Sequence, residues 1–145
     1  MLKTATYFDI NTIILSDTAT KAGLSDSAAR TQIELIFRRN GLPLRSAVDS
    51  CVVDPTIIVE QHGGIYVAIV YLCARQIAVV PYTDEQEIER VTTWDSGFHY
   101  VATKNISEIY PKVIQYIEES ASILANDWLS VSPRNSFRSQ SVDLE

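Results

Sequence analysis

Hydrophobic residues recur along this chain with two periods, one typical of strands and the other typical of helices. Residues 4–15 alternate with period two and predict a first strand. Its inward face carries Phe8, Ile10 and Ile14. Two longer apolar runs, 56–62 and 65–80, flank Gly63-Gly64 and predict a hairpin, because a two-residue turn favours glycine at both positions. The second run is apolar on both faces, so its strand requires cover on two sides.

Less regular segments complete the predicted sheet. Residues 51–53 predict a short strand, and Pro55 restricts the sheet pairing that follows. Residues 90–102 predict a further strand, bent at Gly97. The small polar residues 16–23 predict a connection to the first helix.

The first predicted helix runs to about Asn40, with Ser25 as its N-cap and Asp26 in its first turn. Its apolar side chains recur at helical spacing, and they are Ala29, Ile33, Ile36 and Phe37. Gly41 can take the left-handed position that follows a helix. Leu42 then contacts Phe37, which predicts a Schellman motif at this end.

A second helix is predicted from about Asn105 to Pro133, because Asn105 and Glu108 have the spacing of a capping box. Its apolar face consists of Ile106, Ile109, Tyr110, Val113, Ile117, Ala121, Leu124 and Trp128. Together these elements predict an α+β fold, a mainly antiparallel four- or five-stranded sheet with two amphipathic helices packed on one face. We assign residues 1–132 to one soluble domain and 133–145 to a C-terminal tail, which Phe137 can anchor and whose last residues resemble vector-derived sequence.

The formal net charge of −6 bears on the classes of partner. An acidic chain without a stripe of Lys and Arg repels polyphosphate, so no nucleic-acid partner is expected. The longest apolar run, residues 65–80, is shorter than a membrane-spanning helix and contains Arg75, so no membrane insertion is expected. The N-terminus lacks the apolar core of a signal peptide, which predicts a cytoplasmic protein. A signal peptide in the native gene would instead predict a periplasmic one.

Few side chains offer catalytic chemistry. A nucleophile, a base and an orienting carboxylate can be chosen only from Cys51, His62, Asp54 and His99. No Gly-rich nucleophile elbow surrounds Cys51, and His62 adjoins the hairpin turn, which favours a buried thiol and a surface histidine. The two-residue turn places Asp54 opposite Cys73. Cys51 is then too far from Cys73 for a disulfide, so two free thiols are expected.

No cofactor and no metal site are predicted. The chain contains neither CxxC nor HxxxH, and it lacks a phosphate-binding loop and a dinucleotide fingerprint. Four acidic residues follow the long strand, and they are Asp84, Glu85, Glu87 and Glu89. Their spacing lacks the glycine and the alternating oxygen ligands of a calcium-binding loop, which favours a solvated loop.

Four segments of this chain resemble a group of small uncharacterised bacterial proteins. They are residues 34–42, the alternating Tyr66, Ala68 and Val70, the dipeptide Thr93-Trp94, and residues 126–129 before Pro133. This resemblance implies a bacterial α+β domain and brings no activity with it. The order of predicted elements is also similar to that of the N-terminal domain of the periplasmic translocation protein of the Tol system and its relatives among envelope lipoproteins. That similarity implies topology alone. An envelope accessory domain is a third functional hypothesis, and it requires a signal peptide in the native gene.

Aromatic residues provide the strongest functional signal. The candidate interface or pocket residues lie on strands or their ends, and they are Tyr66, Tyr71, Trp94, Phe98, His99 and Tyr100. Tyr and Trp are enriched at interfaces, although core packing explains the same pattern.

Two helices cover only one face of a sheet, so the other face requires a partner. We therefore predict a homodimer or a complex with a protein partner. The predicted function is a non-enzymatic binding or assembly module that acts through the aromatic-rich sheet face. The alternative is a small-ligand-binding protein or a minor hydrolase with a pocket between the sheet and the C-terminal helix.

Overall fold

The computed structural model describes residues 2–80 and 87–132, which form one mixed sheet and three helices. The strands are β1 (Phe8–Ile10), β2 (Ile14–Leu15), β3 (Cys51–His62), β4 (Ile65–Val80), β5 (Glu87–Asp95) and β6 (His99–Thr103). The helices are α1 (Asp17–Lys21), α2 (Asp26–Arg39) and α3 (Ile109–Val131), with single 3₁₀ turns at Leu2–Thr4 and Ile106–Glu108. The α+β class is thus confirmed. Asp84, Glu85, Phe137 and the rest of the tail 133–145 lie outside the described residues.

The six strands occupy four positions across the sheet. β3 and β4 form a central antiparallel hairpin. β1 and β2 pair one after the other with the outer edge of β3, and β5 and β6 pair with the outer edge of β4. The sheet is mostly antiparallel, but the prediction missed its parallel part, because β1 and β2 run parallel to β3.

The register of the central hairpin agrees with the prediction from its glycine turn. His62 pairs with Ile65, and Asp54 pairs with Cys73. Cys51 lies three residues before Asp54, so its side chain points to the opposite face of the sheet from Cys73. Both cysteines are free, as predicted.

The predicted first strand is split in two. Ile10 pairs with Val53 and Ile14 pairs with Thr56, so the N-terminal chain uses one residue more than β3 between these two pairs. An extra residue reverses the alternation of side chains. Ile13 is therefore buried and Ile14 is 63% exposed, and the prediction that Ile14 faces inward is wrong.

Pro55 accounts for the position of this split. The backbone groups of Val53 and Val59 point to the N-terminal edge, where Val53 O accepts a hydrogen bond from Asn11 N (2.9 Å). Ser16 Oγ donates to Val59 O and accepts from Val59 N, both at 2.9 Å. Pro55 has the same orientation because it lies at even spacing between them. Its missing N–H therefore faces the place where the N-terminal chain leaves the sheet, and β3 continues through it.

α2 begins and ends at the predicted signals. Ser25 Oγ accepts the N–H of Ala28 at 3.2 Å. At the other end Gly41 has φ of 74°, and Leu42 N donates to Phe37 O at 2.9 Å. Gly41 N donates to Arg38 O (3.1 Å), which completes the Schellman motif.

Three other predicted boundaries change. The segment 16–23 contains α1, whose N-cap is Ser16. The strand predicted over 90–102 is interrupted around Gly97 and forms β5 and β6. α3 begins only at Ile109, because the N–H of Asn105 donates to Thr103 Oγ1 (3.2 Å) and Glu108 bonds to that hydroxyl instead of closing a capping box.

The core lies between one face of the sheet and the helices α2 and α3. Phe8 is at its centre, with its ring 5.6 Å from that of Phe37 and 5.5 Å from that of Trp128, both edge-on. Trp128 Nε1 donates to Ala5 O at 2.9 Å, so this buried indole is satisfied. No described helix is long and apolar enough to cross a membrane.

Candidate functional site

The sheet face opposite the helices carries the candidate site, and we call it the open face. Along β3 the side chains alternate between buried and half-buried, because only one face is covered by α2 and α3. The side chains on the open face belong to Val52, Asp54, Thr56, Ile58 and Glu60 of β3, to Val67, Ile69, Tyr71, Cys73 and Arg75 of β4, and to Phe98, Tyr100 and Ala102. Each of these side chains is half-buried or exposed.

The centre of the open face is apolar. We define the apolar patch as Ile58, Val67, Ile69, Tyr71, Phe98 and Tyr100. The Phe98 ring stacks on Tyr71 with centroids 4.8 Å apart, and it lies 6.3 Å from the Tyr100 ring. Phe98 and Tyr100 are each 61% exposed, so this cluster presents its aromatic area to the outside.

The six residues predicted as an interface or pocket are divided between the two faces. Tyr71, Phe98 and Tyr100 lie in the apolar patch. Tyr66, Trp94 and His99 lie on the helix side, since they pair with or neighbour residues of that side. There Trp94 Nε1 donates to Asp127 of α3 (2.8 Å), and the His99 ring stacks on Tyr116 of α3 (5.1 Å). Trp94 and His99 therefore join the sheet to α3, and Tyr66 packs against the core.

One end of the open face is polar, and we define the polar corner as Asn11, Thr12, Asp54, Cys73, Arg75 and Thr92. With Ile13, Ile14, Pro55 and Tyr71, these residues line a depression of about 600 Å³. Its wall is the segment 11–14, in which Thr12 and Ile13 lie between the contacts that Asn11 and Ile14 make with β3. The depression is therefore a consequence of the extra residue opposite Pro55.

A fixed ion pair occupies this depression. The side chain of Asp54 is 16% exposed, and Arg75 Nε donates to its Oδ2. Asn11 Nδ2 donates to Asp54 Oδ1 at 2.7 Å. The hydrogen bond and the charge of Asp54 raise the pKa of Arg75, whose side chain is 39% exposed.

The two thiols differ in their surroundings. Burial raises the pKa of Cys51 to about 12, partly offset by the charge of Arg90. The pKa of Cys73 is also raised, first by burial and then by the carboxylate of Asp54. Both thiols are therefore poor nucleophiles at neutral pH, because the thiolate is the reactive form.

The structure does not bring together the residues from which a catalytic triad was considered. Cys51 is buried on the helix side of the sheet, whereas Asp54 lies on the open face. His62 Nε2 lies 2.9 Å from Glu60 at the end of the hairpin. His99 stacks against α3. No pair among these four has the contact that a nucleophile needs with its base.

The sequence interpretation missed Arg75 and Asn11 as site residues. The register that it predicted contains part of the signal, because Asp54 opposite Cys73 places Arg75 on the diagonal of the same face. Asn11 could not be found in this way, since its approach to Asp54 depends on the split of the first strand. No group of three or more His, Cys, Asp or Glu side chains suited to a metal occurs in the described segments.

No protein-family model and no curated protein match this chain. Among solved structures, the chain is similar to a minor lipoprotein from Acinetobacter baumannii, with 13% sequence identity. The similarity covers 86% of this chain and 91% of that one, and the TM-score is 0.37.

Proposed function

We propose that this protein is a non-enzymatic assembly module that forms a homodimer by packing the open faces of two copies against each other. The observation that carries the proposal is the apolar patch, in which Phe98 and Tyr100 are each 61% exposed. The same strands direct their other side chains into a fully buried core. A second copy gives the exposed side chains an equivalent layer to pack against.

The available area supports a second copy as the occupant. A fully exposed aromatic side chain offers about 150–250 Å² for burial, so Phe98 and Tyr100 together offer roughly 200–300 Å². Ile14, which is 63% exposed, and the half-buried members of the patch add to this. The total is several hundred Å², a large part of the roughly 800 Å² that each partner contributes to a standard interface.

The distribution of charge also supports it. The chain carries a net charge of −6, so two copies repel each other over most of their surfaces. The apolar patch contains no Asp, Glu, Lys, Arg or His. Asp54 and Arg75 lie on one side of the patch, and Glu60 lies on the other. This order, an apolar centre with a polar rim, is typical of protein interfaces.

The first test is the oligomeric state across a concentration series, measured by analytical ultracentrifugation. We expect a monomer–dimer equilibrium in the micromolar range for the wild type. Phe98→Ser and Tyr100→Ser should each weaken the dimer by about tenfold or more, since buried aromatic side chains dominate interface energies. The matched control is Ile123→Ser, because Ile123 is 47% exposed on α3 and lies outside the open face.

Cys73 provides an independent measurement on the same protein. It is half-buried beside the apolar patch, whereas Cys51 is 1% exposed on the other side of the sheet. Dimer formation should slow the alkylation of Cys73 as concentration rises and leave Cys51 unreactive throughout. A chain that remains monomeric at all concentrations, with a constant Cys73 alkylation rate, would contradict the homodimer. A dimer that persists unchanged in Phe98→Ser and Tyr100→Ser would contradict the open face as its interface.

A further inference from the structure

The polar corner contains a guanidinium that is only partly used. Arg75 is held through Nε by Asp54, and in the described part of the chain its two terminal amino groups make no hydrogen bond. Asn11 fixes the other oxygen of Asp54, so the carboxylate and the guanidinium are held in place together. A pre-oriented guanidinium with free amino groups is the usual donor for a carboxylate.

A second carboxylate, that of Asp95, lies in line with Asp54 and Cys73 across the sheet. Asp54 pairs with Cys73 on β4, and Cys73 pairs with Asp95 on β5. Because neighbouring strands are about 4.8 Å apart, the two aspartates flank Cys73 with their Cα atoms roughly 10 Å apart. Asp95 accepts one hydrogen bond, from Gly97 N at 2.9 Å, and makes no ion pair within the described segments. The row thus presents two negative groups beside the single positive Arg75.

The neighbouring residues on the open face, nearer the hairpin turn, supply an aromatic surface. Tyr71 lines the depression and stacks on Phe98, whose ring is largely exposed. The depression of about 600 Å³ lies within the range of small-molecule sites. A carboxylate at Arg75, a cation between Asp54 and Asp95, and an aromatic body against Tyr71 together match one chemical class.

We propose that the polar corner, together with Asp95 beside it on β5, binds a small zwitterion of the free α-amino-acid class. The α-carboxylate contacts the terminal amino groups of Arg75, and the α-ammonium contacts the carboxylates of Asp95 and Asp54. An anion without an ammonium is disfavoured because the two aspartates repel it, and a cation without a carboxylate leaves the guanidinium unused. This site goes beyond the proposed dimer and does not require it.

The experiment uses L-phenylalanine as the probe, with N-acetyl-L-phenylalanine and L-phenylalaninamide as matched probes that each lack one charge. Binding to the ¹⁵N-labelled chain is followed by NMR at millimolar probe concentrations. We expect saturable shifts of the amides of Asp54, Cys73 and Asp95 with L-phenylalanine. Each blocked probe should bind about tenfold more weakly or worse, because each loses one charge-assisted contact.

Two variants locate the contacts. Asp95→Asn removes an exposed carboxylate without disturbing the Asp54–Arg75 pair, and it should reduce affinity for L-phenylalanine by about tenfold. Arg75→Lys keeps the charge but removes the two-pronged donor, and it should weaken binding similarly. Glu119→Gln is the control, because Glu119 is exposed on α3, across the sheet from the open face.

Equal binding of all three probes, or no shift at the polar corner with L-phenylalanine, would overturn the zwitterion site. The measurement is repeated on Tyr100→Ser, which removes part of the proposed dimer interface and leaves the corner intact. Zwitterion binding to a wild-type chain that stays monomeric at every concentration would reject the homodimer and keep the site. A wild type that dimerises, with no binding to the wild type or to Tyr100→Ser, would reject the site and keep the homodimer.

Discussion

Phe8 and Phe98 illustrate the difference between the two faces of the sheet. Phe8 is 0% exposed and touches the rings of Phe37 and Trp128 beneath the helices. Phe98 is 61% exposed, and its ring lies against those of Tyr71 and Tyr100 on the open face. The same residue type thus contributes to folding on one side, and on the other it is available for association. Alternation along β3 and β4 supplies both layers from one pair of strands.

The largest expected effect is on the covered face. Phe8→Ala should lower the free energy of unfolding by about 3–5 kcal/mol, because it removes a fully buried ring and leaves a cavity. Phe98→Ala should change it by less than about 1 kcal/mol in the monomer. Urea unfolding measures the free energy of unfolding of both variants. The protein concentration is kept low enough for the chain to be monomeric. Equal losses in the two variants would mean that the open face is part of the folding core.

A smaller effect is expected where the open face does contain a structural contact. Arg75→Met leaves the mostly buried carboxylate of Asp54 with Asn11 as its hydrogen-bond donor. We expect a loss of about 1–2 kcal/mol, reduced from that of a buried pair because Arg75 is partly exposed to water. The double variant Asp54→Asn with Arg75→Met should regain part of this loss. Full stability of the single variant would show that the pair only orients the polar corner.

The smallest expected effect is a loss of stability at alkaline pH, and it distinguishes the two thiols. Cys51 has its pKa raised to about 12 by burial, whereas an unfolded thiol titrates near 9.0. Below about pH 9 the thiol is protonated in both states and stability is unaffected. Above that pH the unfolded chain ionises first, so stability should fall by about 1 kcal/mol at pH 10 and further towards pH 12.

Urea unfolding at pH 8 and pH 10 measures this dependence. Cys51→Ala should remove most of the alkaline loss, and Cys73→Ala should retain most of it because Cys73 is the less buried thiol. An alkaline loss that is the same in both variants would assign it to groups other than Cys51.

The parts of the fold that depend on short-range signals could be predicted from the sequence. The Gly63-Gly64 turn fixes the register of β3 and β4 from the pair His62–Ile65 to the pair Val52–Arg75, because pairing proceeds residue by residue from the turn. The caps of α2 use hydrogen bonds within a few residues, from Ser25 at one end to Leu42 at the other. Such signals can be recognised in a short stretch of sequence.

The candidate site depends on contacts between residues that are far apart in the sequence. The wall of the polar corner exists because the N-terminal chain gains a residue opposite Pro55, more than forty positions away. The aromatic residues were found as a set, but their division between the faces depends on which strand positions pair with β4. His99 and Tyr100 are adjacent in sequence and lie on opposite sides of the sheet.

The split of the N-terminal strand has a consequence for how copies of this chain can aggregate. A long regular edge strand can recruit another chain and grow into an open-ended fibre. Here one edge consists of a three-residue strand and a two-residue strand with a bulge between them. On the other edge, the hydroxyl of Tyr116 donates to the outward carbonyl of Tyr100 at 3.2 Å. Growth by edge pairing is therefore hindered at the N-terminal edge and at β6, and association by faces with two-fold symmetry stops at two copies.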